Sequence, residues 1–147
     1  MENYSNSFEV KTTADKAYEA LTNQIPLWWT EIFEGSSGKA GGVFTMRFGD
    51  HIHKTMRVKE LIPNSKVIWY VEDSLIAITD LKNQTEWMGT TIVWEIKEKK
   101  DMIVLQLTHI GLTPAVECYN LCTDGWRHYI SSLKAFLETG TGNPHTK

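Results

Sequence analysis

The most constraining feature of the sequence is a wide apolar stripe near its C-terminus. Between Pro114 and Glu138, apolar side chains recur at the helical spacing of about 3.6 residues. The stripe consists of Cys118, Cys122, Trp126, Tyr129, Ile130, Leu133, Phe136 and Leu137. This pattern predicts a long amphipathic helix that stops at Gly140. Such a helix must bury its stripe against another layer of structure.

The N-terminal part of the chain predicts one strand followed by two short helices. Apolar and polar residues alternate over residues 7–12, which is typical of a strand with one buried face. Thr12, followed by Asp15, predicts the cap of a first helix that runs to about Asn23. Pro26 fits the first turn of a second short helix. The apolar surface of that second helix would consist of Leu27, Trp28, Trp29, Ile32 and Phe33. Two adjacent tryptophans cannot share one face of a helix.

Alternating runs after residue 42 predict an antiparallel sheet. The glycine-rich residues 34–42 are typical of a mobile loop. The predicted strands cover residues 44–48, 52–58, 67–71, 90–96 and 105–109, with hairpins joining the first two and the last two. Val67–Val71 is apolar on both faces, which predicts a strand covered on both sides. The path of residues 73–87 stays open, because no clear period is present there.

Length, composition and charge limit the class of protein. A chain of 147 residues can bury its own core, so we expect one domain over residues 1–147. Within it we expect an ordered core at residues 6–138 and a loose tail at residues 139–147. The composition is 41% hydrophobic and 22% charged, which disfavours disordered and fibrous chains. The formal net charge of -3 provides no basic surface for a phosphate backbone, so we expect no nucleic-acid partner.

The cellular setting is predicted from targeting signals and cysteines. The N-terminus has no basic segment followed by an apolar run, and no stretch reaches transmembrane length. We therefore expect a cytoplasmic protein without membrane insertion. Cys118 and Cys122 are four residues apart on the predicted long helix, a geometry that suits a disulfide badly. We expect reduced thiols that pack in the core, with half of a soft metal site as the less favoured alternative.

The order of the predicted elements indicates an α+β architecture. A strand and two short helices precede a run of antiparallel strands, and one long helix follows them. The only surface large enough to cover the apolar stripe is the concave face of the sheet. We therefore expect a curved antiparallel sheet of about six strands wrapped around the long C-terminal helix. A helix across a strongly bent sheet seldom fills the space at both ends, so a cavity is expected.

Several stretches between Phe8 and Pro144 resemble a known superfamily. The most telling are Leu27-Trp28-Trp29, Glu86-Trp87-Met88-Gly89-Thr90, Thr108-His109-Ile110-Gly111-Leu112-Thr113-Pro114, Glu117-Cys118-Tyr119, and Gly125-Trp126 with Tyr129-Ile130-Ser131-Ser132-Leu133. They resemble the helix-grip superfamily of START, Bet v-type and polyketide-cyclase-like proteins (SRPBCC). Within it, the chain is similar to the branch of the C-terminal domain of the activator of heat-shock protein 90 ATPase. The resemblance implies the helix-grip fold, on which lipid carriers, hormone receptors, cyclases and co-chaperones are built.

The candidate site is the predicted cavity with its aromatic residues. Tryptophan can enclose an apolar ligand while its indole N–H orients a polar group, although it also serves as core filler. The candidate ligand-binding residues are Trp28, Trp29, Phe44, Met46, Trp69, Trp87, Trp94, His109, Tyr119 and Trp126. His109 shares its strand parity with Leu105 and Leu107, so it should face inward as a structural residue, a polar anchor or a proton shuttle.

Metal and catalytic motifs are not recognisable in the sequence. His51 and His53 project from the same side of a strand, but only Asp50 could assist them, so no metal site is predicted. No nucleophile with a base, no phosphate loop before a helix and no paired inward carboxylates are found. We therefore assign no catalytic residue and expect no cofactor.

Three hypotheses on function follow from these residues. The preferred one is the binding of a small apolar or amphipathic ligand in the cavity. The second is a protein-interaction or co-chaperone-like role, with a chaperone or other protein partner, through the sheet face around His53, Thr55 and Arg57. The third is a cyclase- or hydrolase-like enzyme that depends on His109.

Overall fold

The computed structural model describes residues 2–78 and 81–146, so Met1, Thr79, Asp80 and Lys147, which fall within the predicted domain, lie outside the described residues. The strands are β1 (Tyr4–Val10), β2 (Phe33–Gly35), β3 (Val43–Arg47), β4 (Ile52–Ile62), β5 (Lys66–Ile76), β6 (Thr91–Lys99) and β7 (Met102–Ile110). The helices are α1 (Ala14–Thr22) and α2 (Tyr119–Thr139), with a short 3-10 turn at Ile25–Leu27. In the described part of the chain, no helix is long and apolar enough to cross a membrane.

All seven strands form one antiparallel sheet in the order β1-β7-β6-β5-β4-β3-β2. The two predicted hairpins are confirmed as β3–β4 and β6–β7. The strand beyond the expected six is β2, which pairs Phe33 with Met46 and Gly35 with Phe44 inside the segment predicted as a helix end and loop. Three residues are too few to display an alternating pattern, so only the pairing with β3 reveals this strand.

The long helix α2 buries the predicted stripe against the sheet. Cys122, Trp126, Ile130 and Leu133 are buried, and Gly140 ends the helix with a left-handed φ of 87°. A long C-terminal helix held by a curved antiparallel sheet is the helix-grip fold that the sequence predicts.

The start of α2 differs from the prediction. The helix begins at Tyr119 and not near Pro114. Just before it, the carboxylate of Glu86 accepts hydrogen bonds from the backbone N–H groups of Glu117 and Cys118, at 2.9 and 3.0 Å. These amides are satisfied by a distant side chain, which apolar periodicity does not reveal.

The N-terminal elements also begin and end at other residues than predicted. β1 starts at Tyr4 because it pairs with β7 from Tyr4 opposite His109 onward, although residues 5–7 are polar. The cap residue of α1 is Thr13 and not Thr12, whose buried hydroxyl has no partner among the described residues. The second helix is only the 3-10 turn, and Trp28 and Trp29 beyond it are both buried. Outside a helix, adjacent side chains can both reach the core.

β5 does not have two covered faces. Trp69 and Val71 are buried, but Tyr70 between them is 36% exposed. The register then shifts, because Thr55 pairs with Asp73 whereas Met56 pairs with Val71. This bulge skips Glu72 and moves the inward face to even-numbered positions, which explains why the period became unreadable after residue 72. Residues 73–76 continue β5, and residues 81–90 connect to β6.

The segment after α2 is attached to the body of the protein and is not loose as predicted. His145 forms a parallel bridge with Thr30, in which its N–H donates to Trp29 O at 2.8 Å and its carbonyl accepts from Glu31 N at 2.9 Å. Ser132 on α2 links the segment to residue 28, because its hydroxyl donates to Trp28 O and accepts from Asn143 N, both at 2.6 Å. The segment and Ser132 together therefore satisfy backbone groups of residues 28–31 that a helix would have paired internally.

Candidate functional site

A pocket of about 170 Å³ lies between α2 and the β4–β5 part of the sheet. It is lined by Trp29, Phe48, Ile52, Lys54, Ile76, Trp87, Leu121, Cys122, Gly125, Trp126 and Tyr129. Most of these side chains are apolar or aromatic, so the pocket suits an apolar group. Leu121 is 43% exposed and lies at its outer side.

Three of the predicted candidates, Trp29, Trp87 and Trp126, line this pocket. Trp126 joins the other two, because its ring centroid is 5.2 Å from that of Trp29 and 5.7 Å from that of Trp87. The rings of Trp87 and Trp126 are stacked with an interplanar angle of 14°. These contacts form a continuous aromatic wall on one side of the pocket.

The remaining candidates do not line the pocket. Trp28, Phe44, Met46, Trp69, Trp94 and His109 are buried in the core behind it, and Tyr119 is half-buried at the start of α2. Trp28 shows a structural contact, since its indole N–H donates to Ala20 O at 2.8 Å. Trp69 and Trp94 pack edge to face at 6.2 Å. The parity of a strand places a side chain inside, but it does not separate the core from the pocket.

His109 lies in a hydrogen-bonded chain behind the aromatic wall. The indole N–H of Trp126 donates to His109 Nδ1 at 3.1 Å, so Nδ1 must be the unprotonated nitrogen. The proton is therefore on Nε2, which donates to Thr90 Oγ1 at 2.9 Å. The Thr90 hydroxyl in turn donates to Trp87 O at 2.6 Å. Every polar atom of the imidazole is satisfied in the neutral form, an arrangement that fixes the positions of Trp126 and Trp87.

Because His109 is neutral in the folded protein, the free energy of unfolding should fall as the solution becomes more acidic. Burial, with the nearby positive charge of Lys54, lowers the pKa of His109 from 6.5 to about 3. At a pH between these two pKa values, the unfolded chain therefore binds one more proton than the folded chain. The free energy of unfolding consequently decreases as the pH falls through this range. We expect the His109 contribution to the free energy of unfolding to drop by about 2 kcal/mol between pH 7 and pH 5.

Urea denaturation of the wild type and of His109→Gln at both pH values measures this contribution. The pH dependence should be weaker by that amount in the variant, whose amide can still accept from Trp126 and donate to Thr90. His128→Gln, at an exposed histidine of α2, is the matched control. An unchanged pH dependence in His109→Gln would refute the neutral buried imidazole.

Lys54 is a pocket residue that the sequence reading missed. Its side chain is 6% exposed, and its Nζ lies 3.3 Å from the centroid of the Trp87 ring. Burial lowers the pKa of Lys54 from 10.5 to about 8, partly opposed by Cys122 and Cys118. The alternation of β4 already indicates that Lys54 faces inward, because it shares the even positions with Ile52 and Met56. A lysine is usually assigned to the surface, which concealed it.

The two cysteines are free and buried next to this lysine. The indole N–H of Trp87 donates to Cys122 Sγ at 3.1 Å. The hydrogen bond with Cys122 and burial together raise the pKa of the Cys118 thiol. Within residues 2–78 and 81–146, no group of three or more His, Cys, Asp or Glu residues has the geometry of a metal site.

The opposite face of the sheet carries the residues of the second hypothesis. His53 Nε2 lies 3.1 Å from Asp73 Oδ2, and Arg57 Nε lies 2.8 Å from Glu72 Oε2. The hydroxyls of Thr45 and Thr55 are 2.8 Å apart. This face is a polar, cross-strand paired surface that is partly exposed.

Residues 11–138 match the family described as activator of Hsp90 ATPase homolog 1-like protein. The chain belongs to this family. The match covers most of the chain and confirms the resemblance indicated by the sequence. No curated protein sequence matches the chain significantly.

Solved structures extend the comparison. The Aha1 dimer from Colwellia psychrerythraea has 26% sequence identity and a TM-score of 0.76, over 97% of this chain and 100% of that chain. DynU16 has 14% identity and a TM-score of 0.73, over 100% of this chain and 51% of that one. CalU16 from Micromonospora echinospora has 18% identity and a TM-score of 0.67, over 95% and 75%. The last two similarities concern the fold alone.

Proposed function

We propose that this protein of the activator of Hsp90 ATPase homolog 1-like family binds a small apolar or amphipathic molecule between α2 and the sheet. The observation that carries the proposal is the pocket of about 170 Å³ with its wall of Trp29, Trp87 and Trp126. An engineered apolar cavity of about 150 Å³ accepts benzene. A ligand body of about one aromatic ring, or a short alkyl chain, therefore has the right size.

The presence of Gly125 inside α2, where a glycine lowers helix stability, supports the proposal. A glycine inside a helix costs about 1 kcal/mol relative to alanine. Nothing lies within 4 Å of the position that a Cβ atom at Gly125 would take, so no close contact requires the glycine. Gly125 does line the pocket, where any larger side chain would occupy ligand space. Keeping this space open gives a physical reason for the helix to tolerate the glycine.

Neutral apolar probes test the proposal. We expect 3-phenylpropan-1-ol or octan-1-ol to change the tryptophan fluorescence, because Trp29, Trp87 and Trp126 line the pocket. Binding to the native state should also raise the melting temperature, by the equivalent of about 2.7 kcal/mol at a ligand concentration 100 times Kd. Titrations followed by fluorescence and by thermal unfolding measure both effects.

Two substitutions at one position provide the control. Gly125→Leu should fill the pocket and abolish the response to the probes, because the side chain enters open space. Gly125→Ala should retain binding and gain about 1 kcal/mol of stability from its helix propensity. If neither these alcohols nor the matching carboxylate 3-phenylpropanoate alters the fluorescence or the melting temperature of the wild type, the proposal is wrong. Equal binding by wild type and Gly125→Leu would place the ligand elsewhere and also contradict it.

Family membership favours a second candidate, a protein-interaction role of the co-chaperone type. Its surface would be the sheet face with the pairs His53–Asp73 and Arg57–Glu72. The ATPase rate of Hsp90, measured with and without the protein, tests this role. A rate increase that is lost in Arg57→Ala, with ligand binding retained, would support it, and no change in rate would count against it. A cytoplasmic location is part of this proposal.

A further inference from the structure

The ammonium group of Lys54 has no carboxylate partner in the described part of the chain. None of the ion pairs formed by residues 2–78 and 81–146 includes Lys54, although its side chain is only 6% exposed. The face of the Trp87 ring, 3.3 Å away, compensates part of the charge. A buried cation is normally paired with a carboxylate or another anion. Lys54 instead borders the open space of the pocket.

A second buried polar side chain, next to Lys54 in the sheet, also lacks a partner among the described residues. Ser74 on β5 pairs with Lys54 in the register of the sheet, so both side chains emerge next to each other on the inner face. Ser74 is 0% exposed, and its hydroxyl forms no hydrogen bond with the described residues. Unsatisfied buried hydroxyls are uncommon in proteins, since each costs free energy. Ser74 does not line the pocket, so of the two residues it is Lys54 whose ammonium group an acceptor from outside the chain can reach.

We infer that the natural ligand of the pocket is a monocarboxylate with an apolar body, and that its carboxylate binds the Lys54 ammonium group. This inference rests on the proposed function and names the chemical class of the ligand. The carboxylate would accept a charge-assisted hydrogen bond from Nζ. The apolar body would lie against Trp29, Trp126 and Tyr129, which line the same pocket. The pocket volume limits this body to about one ring or a short chain.

The groups around Lys54 favour an anion over a cation or a neutral polar ligand. The groups that influence the pKa of Lys54 are Cys118, just before α2, and Cys122 on α2. Lys54 in turn lowers the pKa of His109 on β7. His109 is held neutral by its hydrogen bonds to Trp126 and Thr90. Among the described residues that line the pocket, Lys54 is the one with a charged side chain, and its ammonium group attracts negative charge.

A matched pair of ligands tests the inference. The carboxylate 3-phenylpropanoate and the alcohol 3-phenylpropan-1-ol have nearly the same shape and differ in charge. At pH 6.5 we expect the wild type to bind the carboxylate at least about tenfold more tightly than the alcohol, as a charge-assisted hydrogen bond in a buried site provides. Fluorescence titration or calorimetry gives both values of Kd.

Variants on the same strand assign the preference to Lys54. In Lys54→Met the affinity for the carboxylate should fall about tenfold or more, while the affinity for the alcohol stays within about twofold. Lys59→Met is the control, because Lys59 is an exposed lysine of β4 that lies over another ring, that of Tyr70 at 5.8 Å. This control should bind both ligands like the wild type.

A pH series provides an independent readout. Because burial lowers the pKa of Lys54 to about 8, the affinity for the carboxylate should decline between pH 7 and pH 9.5. The affinity for the alcohol should not follow this decline, and Lys54→Met should lack it. A decline that persists in Lys54→Met would assign the titration to Cys118 or Cys122 and would overturn the role of Lys54.

The results separate the two proposals. If the wild type binds the alcohol as tightly as the carboxylate, or if Lys54→Met keeps the preference, the carboxylate inference fails and the proposed function stands. If neither ligand binds the wild type, the proposed function fails, and the inference fails with it.

Discussion

Replacement of Lys54 by methionine is expected to stabilise the ligand-free protein by about 3 kcal/mol at pH 7. The pKa of Lys54 falls from 10.5 to about 8 on folding, because burial disfavours its charged form. Below pH 8 the folded protein carries the full cost of the buried cation. This cost decreases as the pH rises from 8 to 10.5, since the unfolded chain then binds more protons than the folded chain. Methionine has a similar length and no charge, so it removes the cost without leaving a large cavity.

Urea denaturation of the wild type and of Lys54→Met at pH 7 and pH 10.5 tests this expectation. The advantage of the variant should be large at pH 7 and small at pH 10.5. Lys59→Met changes an exposed lysine on the same strand, so its stability should stay within about 0.5 kcal/mol of the wild type. A destabilised Lys54→Met at pH 7 would mean that a partner compensates the buried charge, and it would also weaken the case for a carboxylate ligand.

Truncation of Trp126 is expected to destabilise the protein by about 3–5 kcal/mol, the usual cost of replacing a buried large aromatic residue by alanine. Trp126 is 2% exposed and lies between Trp29 and Trp87, with ring centroids at 5.2 and 5.7 Å. Trp126→Ala would remove these contacts and leave His109 Nδ1 without its donor. The loss of a hydrogen-bond partner inside the core adds to the cost of the cavity.

The free energy of unfolding of Trp126→Ala, from urea denaturation at pH 7, measures this effect. Leu121→Ala is the control on the same helix, because Leu121 also lines the pocket but is 43% exposed. It should lose less than about 1 kcal/mol. A loss below about 1 kcal/mol in Trp126→Ala would show that the aromatic wall is loosely packed, contrary to the ring contacts.

The elements predicted most accurately are those with long, uninterrupted periods. The stripe of α2 and the hairpins β3–β4 and β6–β7 are confirmed by the burial pattern and the strand pairing. Errors occurred where another part of the chain determines the local structure. Glu86 satisfies the amides before α2, and pairing with β3 creates β2. The bulge at Glu72 changes the inward parity of β5, so a constant period could not describe this strand.

The candidate site was predictable only in part. The sequence indicated an aromatic cavity, and Trp29, Trp87 and Trp126 do line the pocket. Residue type alone does not distinguish these three residues from Trp69 and Trp94, which are also buried tryptophans but lie in the core. Lys54 was overlooked because lysine is assumed to be exposed, although its parity on β4 placed it inside.

The sequence alone predicts α2, the hairpins β3–β4 and β6–β7, and their buried faces. Hydrophobic periodicity is local, so a helical stripe or an alternating strand is recognisable without knowledge of its partners. The folded structure is needed to see which buried residues border open space and which buried charged group has no carboxylate partner. Both properties depend on contacts between distant segments, such as Lys54 on β4, Ser74 on β5 and Trp87 in the loop before β6. The tryptophans of the sequence predicted an apolar cavity, and the position of Lys54 in the fold is what gives this pocket a charge.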